Sequence, residues 1–262
     1  MNIRFAILGI CFLGALQALG WSQKGHDVTA SIAERHLTPA AADSVRSLLD
    51  GRSLVYWSNW LDNASHTPDY AYTKTWHYKN VDAGTDYADA PLNEKGDVVV
   101  AVNEIRAILA DSVSARSQKV LALKILTHLL GDMHQPMHLG HLTDLGGNLT
   151  PVKFFKRDTQ LHELWDSSLP EAAHKWSYSE WQDQIDRATP EQEAAIIAGT
   201  PDDWARETWE IAGRVYDYFP KGSKASYNHI AYWTPTIETQ FLRGGLRLAH
   251  ILNSIFDPNY NR

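Results

Sequence analysis

Cysteine is almost absent from this chain of 262 residues, because its one cysteine, Cys11, lies in an apolar segment near the start. An intrachain disulfide needs two cysteines, so the chain cannot form one. A chain without disulfides depends for its stability on its apolar core or on another cross-link, and a bound metal ion can act as such a cross-link. The hydrophobic content of 44% is sufficient for a substantial core.

Long apolar runs are missing as well, which argues against a membrane-spanning helix. The longest run covers residues 5–16, whereas such a helix needs about 20 apolar residues. The run follows Arg4 and precedes the small residues Ala18 and Gly20, a pattern typical of a secretory signal peptide that is cleaved after Gly20. An uncleaved membrane anchor is the alternative. We expect residues 1–20 to be a signal peptide and the protein to be secreted or periplasmic, beginning at Trp21.

Positive charge is also in short supply. The chain has 24 Lys and Arg against 31 Asp and Glu, and its formal net charge is −7. It therefore lacks the cationic surface expected of a protein that binds nucleic acid phosphates through Lys and Arg. If the protein handles phosphates, bound cations must provide the positive charge. Histidine and tryptophan are plentiful instead, with 12 and 10 residues.

Apolar residues recur at helical spacing along most of the chain, so we predict a mainly α, single-domain protein. The exception is the segment TPVKFF at 150–155, which follows Gly146 and Gly147 and predicts a small β-hairpin. A long loop is predicted at 70–91. The predicted helices are 27–36, 39–49 with Thr38 as its cap, 53–64, 93–111, 117–133, 162–166, 178–187, 190–198, 202–218 and 238–256.

Two pairs of His and Asp are spaced four residues apart, namely His128 with Asp132 and His162 with Asp166. On a helix, this spacing places an imidazole and a carboxylate on one face, where both can bind the same cation. One such pair is more often a hydrogen-bonded surface pair, but two pairs with His138 between them favour a metal site. Nitrogen and oxygen ligands without cysteine are typical of zinc, and less so of manganese or iron.

Further candidate ligands precede these pairs in the chain. They are Asp62 in WLDN, His77 in TWHYKN, and His26. Cleavage after Gly20 would add the α-amino group of Trp21, which can chelate a metal together with its own carbonyl oxygen. This amine titrates near pH ~8, so its neutral form can bind a metal at mild pH.

These motifs resemble those of the S1/P1 nucleases, zinc-dependent enzymes that cleave single-stranded nucleic acid. The resemblance covers nearly all of residues 21–262. It implies one nuclease domain there, a multi-helix bundle of the phospholipase C/P1 nuclease type with its site in a cleft. Fungal and plant members carry disulfides, so the missing cysteines point to a bacterial-type member. The shared motifs are Trp21 with His26, WLD at 60–62, WHY at 76–78, HLLGDMHQPMH at 128–138, GGN at 146–148 and LHELWD at 161–166.

The resemblance also implies a centre of three Zn²⁺ ions. The first would be held by Asp62, His77, His128 and Asp132. The second would be held by His138, His162 and Asp166. The third would be held by the amine and carbonyl oxygen of Trp21, by His26 and by the other oxygen of Asp132.

Three more residues take positions to which the family assigns a role near the ions. Asp82 would orient the attacking water, although an Asp that caps a turn is the alternative. Tyr78 would stack on a base of the substrate, and its alternative is a core aromatic. Asn148 would contact the substrate beside Gly146 and Gly147, where an ordinary hairpin turn is the alternative.

Clustered zinc ions lower the pKa of bound water toward ~7, bind phosphoryl oxygens and neutralise the leaving oxygen. We therefore expect a monomeric phosphodiesterase, without stable membrane association, that hydrolyses single-stranded DNA and RNA to 5′-phosphate products. Removal of 3′-phosphates from nucleotides would follow from the same geometry. The alternatives are a zinc-dependent phospholipase C, which shares the ligand arrangement, and a zinc-binding protein without catalytic activity.

Overall fold

The computed structural model describes residues 21–261, and these form a mainly helical fold with one small sheet, which confirms the predicted fold class. The predicted signal peptide, residues 1–20, lies outside the described residues. No helix within the described range is both long and apolar enough to cross a bilayer. The α-helices are α1 (Gln23–Arg35), α2 (Pro39–Leu48), α3 (Leu54–Trp57), α4 (Trp60–Ala64), α5 (Val98–Ala110), α6 (Arg116–Met133), α7 (Leu161–Glu163), α8 (Leu169–Ala173), α9 (Tyr178–Ile185), α10 (Pro190–Ile197), α11 (Pro201–Tyr218) and α12 (Tyr227–Phe256).

Three helices begin at the same sequence signal, a Thr followed by Pro. The hydroxyls of Thr38, Thr189 and Thr200 each accept a hydrogen bond from the backbone three residues later, at the start of α2, α10 and α11. Proline suits the next position because the first backbone N–H groups of a helix have no partner within it. The predicted starts of these helices are confirmed to within one residue.

The predicted helix at 117–133 is confirmed as α6, which lies in the core and packs against α1, α5 and α12. Leu126, Leu129 and Leu130 on this helix are fully buried. His128 and Asp132 are equally buried. Burial of an imidazole and a carboxylate costs free energy unless they are paired or bind a metal. The second half of α6 is therefore where a functional site is expected.

Several predicted helices differ from those observed: α1 begins four residues earlier, α5 begins five residues later, and 162–166 is divided between α7 and a π-helical turn. Two further differences have an identifiable cause. The predicted helix 53–64 is broken into α3 and α4, because Ser58 and Asn59 between them donate hydrogen bonds to the carboxylate of Asp27 on α1. Helix α12 begins at Tyr227 rather than near residue 238 and continues through Pro235. Proline normally ends a helix, but here Trp233 and Ile237 on either side are buried against the core.

The predicted hairpin is confirmed and has a third strand. Strand β1 (Pro151–Phe154) pairs antiparallel with β2 (Arg157–Gln160) and parallel with β3 (Lys224–Ala225). The predicted loop at 70–91 contains two 3₁₀ helices, Ala71–His77 and Tyr87–Asp89. Helix α7 follows β2 directly, with the backbone nitrogen of Leu161 bonded to the carbonyl of Thr150. The hairpin therefore places His162 at the edge of the core.

Candidate metal centre

Eight His and Asp side chains from several parts of the described chain converge into three groups. Within each group, the possible ligand atoms lie within 4.8 Å of one another. The eight are the side chains that the sequence identified as candidate ligands, and their binding of zinc stays a prediction. The groups are His26, Asp62 and His128; His77, His128 and Asp132; and His138, His162 and Asp166.

Asp132 lies between the groups. Its Oδ2 atom is 2.9 Å from Nδ1 of His77 and 3.1 Å from Nε2 of His128. Its Oδ1 atom is 3.5 Å from Nε2 of His26 and 3.5 Å from Nδ1 of His138. One oxygen therefore faces the His77 group and the other faces His26, the arrangement that the resemblance implied for a bridging carboxylate. His26 also lies near Asp62 and His128, a grouping that the resemblance does not imply.

Three imidazoles are oriented by main-chain carbonyl oxygens. Nδ1 of His128 is 2.7 Å from the carbonyl of Ser58, and Nδ1 of His138 is 2.6 Å from that of His77. Nδ1 of His162 is 2.6 Å from the carbonyl of Gly146. A proton on Nδ1 leaves the lone pair on Nε2, and outer hydrogen bonds of this kind are typical of histidines that bind metals. The local fold therefore selects the tautomer that can bind a cation.

Several polar atoms of the site lack hydrogen-bond partners within the protein and are placed where they could bind a cation. Both ring nitrogens of His26 and Nε2 of His77 are buried without a hydrogen-bond partner. The oxygens of Asp132 also accept no hydrogen bond, although two ring nitrogens lie close to them. Buried polar atoms rarely lack partners in native proteins. Imidazole and carboxylate ligands in this number suit divalent ions such as zinc.

The negative charge of Asp132 and the positive charge of His128 stabilise each other. Burial raises the pKa of Asp132, but His128 and His138 outweigh this effect and hold it well below its usual range. Burial lowers the pKa of His128, yet Asp132 and Asp62 outweigh this effect and raise it well above 6.5. For His26, burial dominates and lowers the pKa to about 3, so its ring is neutral. Neutral imidazoles and ionised carboxylates are the forms that bind metals, so His26 and Asp132 are in these forms, whereas His128 would exchange its proton for the metal ion.

Glycine permits two close approaches that hold the histidines in place. Gly146 has φ of 65°, and a Cβ there would lie 2.4 Å from the carbonyl of Met137 and 3.4 Å from Nδ1 of His162. A Cβ on Gly131 would lie 2.6 Å from Nδ1 of His26. The sequence suggested that Gly146 brings the backbone near the cleft, and it does so beside His162. The role of Gly131 was missed, because a glycine within a helix gives no signal of what packs against it.

Trp21, the first described residue, is fully buried against Phe241, with ring centroids 4.8 Å apart. The next backbone nitrogen, that of Ser22, donates a hydrogen bond of 2.9 Å to the carbonyl of Asp166. The start of the described chain is therefore anchored beside the candidate ligands. Binding of a metal by the α-amino group of Trp21 depends on cleavage after Gly20 and stays a prediction.

Tyr78 is half-buried and lines a cavity of about 190 Å³. Asn80 lines the same cavity, and its Oδ1 atom is buried without a hydrogen-bond partner. Apolar atoms of Leu92 and Leu142, both exposed, complete part of the wall. The sequence identified Tyr78 but missed Asn80, since a single Asn three residues after His77 has no distinctive pattern.

The side chains of Asp82 and Asn148, the other two residues with a predicted role near the ions, both bond to other groups of the protein. Oδ1 of Asp82 accepts hydrogen bonds from the backbone nitrogen and the hydroxyl of Thr143, at 2.7 and 2.9 Å. The amide nitrogen of Asn148 donates a hydrogen bond of 2.9 Å to the carbonyl of Leu145. The contact of Asn148 lies within a turn and matches its alternative, whereas the side chain of Asp82 bonds to a distant loop rather than capping a turn of its own. The proposed roles of Asp82 and Asn148 with water and substrate stay predictions.

The helical fold brings buried imidazoles and carboxylates together, and several of their polar atoms have no hydrogen-bond partner. These features are typical of a metalloenzyme. Comparison with known families identifies which one. A model of the S1/P1 nuclease family matches residues 21–257. The chain belongs to this family and is a zinc-dependent hydrolase of the endonuclease type.

Individual relatives agree with this assignment. Endonuclease 4 of Arabidopsis thaliana is 28% identical over 91% of this chain and 90% of its own. Nuclease P1 of Penicillium citrinum is 25% identical over 90% of this chain and 97% of its own. Nuclease S1 of Aspergillus oryzae is 29% identical over 71% of this chain and 67% of its own.

Proposed function

We propose that the protein hydrolyses phosphodiester bonds of single-stranded DNA and RNA at a centre of three zinc ions, leaving 5′-phosphates. The observation that carries the proposal is the convergence of seven buried His and Asp side chains and the half-buried Asp62 into three neighbouring groups. Removal of 3′-phosphates from nucleotides is part of the same proposal. The relatives named as nucleases and endonucleases support cleavage of nucleic acid as the reaction.

The chain provides ligands for each ion. Asp62, His77, His128 and Asp132 would hold the first ion, and His138, His162 and Asp166 the second. Trp21, His26 and the remaining oxygen of Asp132 would hold the third. When bound, the ions supply positive charge for the phosphoryl oxygens and lower the pKa of the attacking water.

The protein's own residues bind the base rather than the phosphate. The half-buried ring of Tyr78 offers a stacking face at the cavity, and stacking of a base is worth roughly 1–3 kcal/mol. Stacking requires a base that is not already stacked in a duplex, which explains a preference for single strands. Lys79 beside it is paired with Asp97 at 3.1 Å and is largely buried. The phosphate therefore depends on the metal ions for its positive partners.

Processing and location belong to the same proposal. Residues 1–20 would be removed on export, which would create the α-amino group of Trp21 beside His26. The family match that begins at residue 21 supports this boundary. A secreted or periplasmic monomer without stable membrane association follows from the same sequence features.

The test uses purified protein that begins at Trp21. It is incubated with single-stranded DNA, RNA, 3′-AMP and phosphatidylcholine, with and without a chelator, while zinc per chain is measured. We expect three zinc ions, cleavage of the first three substrates and loss of activity after chelation. Hydrolysis of the lipid alone would identify a phospholipase C, and bound zinc without any turnover would identify a zinc-binding protein.

A further inference from the structure

Gln135 is a fully buried polar residue in the turn between two candidate ligands, Asp132 and His138. Its backbone nitrogen donates to the carbonyl of Asp132 and its carbonyl accepts from the backbone nitrogen of His138, both at 3.0 Å. Its side chain reaches across the site, where Nε2 donates a hydrogen bond to Oδ1 of Asp166. One residue outside the predicted ligand set therefore contacts three of its members.

The direction of the Gln135 amide follows from its second hydrogen bond. Its Oε1 atom accepts a hydrogen bond from the backbone nitrogen of Met137, at the start of the 3₁₀ helix Pro136–Leu139. A backbone N–H can only donate, so the amide oxygen must face Met137 and the NH₂ group must face Asp166. The donor to Asp166 is therefore set by the turn itself.

This hydrogen bond orients the Asp166 carboxylate. Oδ1 is occupied by Gln135, while Oδ2 lies 3.1 Å from Nε2 of His162. The carboxylate could otherwise rotate and exchange its two oxygens. With Oδ1 held, Oδ2 stays within the group formed with His138 and His162. Hydrogen bonds to ligating carboxylates typically change metal affinity by 10- to 100-fold when they are lost.

We propose that Gln135 is a positioning residue of the site formed by His138, His162 and Asp166. It orients Asp166 toward the ion and sets the affinity of that site without touching the substrate. This inference rests on one part of the proposed function, namely that His138, His162 and Asp166 bind zinc. Direct measurement of bound zinc keeps it separate from the question of which substrate is cleaved.

The test compares Gln135→Met, which keeps the size but removes both side-chain hydrogen bonds, with Gln240→Met as a matched control. Gln240 is equally buried, and its amide donates to the carbonyl of His134 and the hydroxyl of Thr208 rather than to a candidate ligand. Zinc per chain is measured across a series of chelator concentrations. We expect Gln135→Met to lose one ion at roughly 10- to 100-fold lower chelator concentration than the unmodified protein. Gln240→Met should retain all ions.

A second readout separates positioning from substrate binding. Excess zinc should restore kcat of Gln135→Met on single-stranded DNA, with KM unchanged throughout. Unchanged zinc affinity in Gln135→Met, or an equal loss in Gln240→Met, would overturn the proposal. If Gln135→Met does not fold by circular dichroism, Gln135→Glu takes its place, because it keeps an acceptor for Met137 and replaces the donor to Asp166 with a carboxylate that repels it. A zinc affinity of Gln135→Glu equal to or above that of the unmodified protein would then overturn the proposal.

Discussion

The two His–Asp pairs share a spacing and a distance but are supported in different ways. Nε2 and Oδ2 are 3.1 Å apart in both pairs. His128 and Asp132 lie within the 18 residues of α6, where the regular helix sets their geometry. His162 lies in the three residues of α7, and Asp166 lies in the π-helical turn Leu164–Ser168 that follows. Turns of this kind are rare and frequently occur at functional sites.

The second pair therefore depends on its neighbours. Gly146 orients His162, Gln135 orients Asp166, and Ser22 is bonded to the backbone of Asp166. The first pair needs less outside support because α6 is anchored in the core by its leucines. The comparison teaches that one motif can be maintained by its own helix or by the residues around it. Damage to the first pair should affect the first and third ions, whereas damage to the second should remove one.

The largest effect is expected for Asp132→Asn, because Oδ2 of Asp132 faces His77 and His128 of its own group while Oδ1 faces His26 and His138 of the other two groups. Loss of the ionised carboxylate should lower cleavage of single-stranded DNA by about 10³-fold or more, since metal ions contribute several kcal/mol to such reactions. Zinc per chain should fall by more than one ion, whereas Asp166→Asn should lose one. Equal zinc losses in the two variants would remove the distinction between the pairs.

The next largest effect is expected for Gly146→Ala, because the carbonyl of Gly146 orients His162 of the second His–Asp pair. The added Cβ would meet the carbonyl of Met137, and φ of 65° is strained for any residue other than glycine. We expect a loss of about 1–3 kcal/mol in the free energy of unfolding and loss of the ion held by His162. Gly51→Ala is the control, because Gly51 has φ of 80° with no atom within 4 Å. Chemical denaturation and zinc analysis measure both effects, and zinc loss in the control would contradict the assignment.

A smaller effect is expected for Gly131→Ala, since Gly131 lies on α6 between the residues of the first His–Asp pair. The Cβ would displace His26, while alanine itself is favoured within a helix, so the two effects on stability oppose each other. We expect the third ion to be lost with little change in melting temperature. The control is Gly213→Ala, at an exposed position of α11 with no atom within 4 Å. It should stabilise the protein by about 0.5–1 kcal/mol and keep all its zinc.

The smallest effect lies away from both pairs and concerns His36. A hydrogen bond of 2.8 Å to Asp186 and the charges of Asp186 and Glu193 raise the pKa of His36, and together they outweigh burial and the charge of Arg35, which lower it. The unfolded value is about 6.5. The stabilisation is therefore complete below that pH and is lost as the pH rises through the folded pKa. His36→Gln should lower the melting temperature more at pH 5.5 than at pH 8.5, and an equal decrease at both would exclude the effect.

Residue type and spacing were sufficient to select the His and Asp side chains that the fold brings together, because metal binding restricts the choice of side chain. The pair at 128–132 follows from helical periodicity, and the Thr–Pro starts follow from the needs of a helix end. The same spacing identified the pair at 162–166, although a short α-helix and a π-helical turn set its geometry. These features depend on residues that are close together in the chain, so they can be predicted from the sequence. The family resemblance added the grouping into separate ions, which spacing could not supply.

Features that depend on distant contacts could not be predicted in this way. The break between α3 and α4 depends on Asp27, some thirty positions earlier in the chain. The continuation of α12 through Pro235 depends on the core that covers its neighbours, and β3 exists only because it pairs with β1. Gln135 was read as part of a motif, but its role depends on where Asp166 is placed by the hairpin.

The carbonyl oxygens that orient His128, His138 and His162 have a consequence for how this centre can change over time. A main-chain oxygen survives replacement of the side chain on its own residue, so exchange of Ser58 is tolerated only if Asn59 and Asp27 still maintain the bend. Selection on the outer layer therefore acts on backbone path more than on residue identity. Much of the intervening sequence is left open to drift, which suits a chain whose named relatives share only 25–29% of its residues.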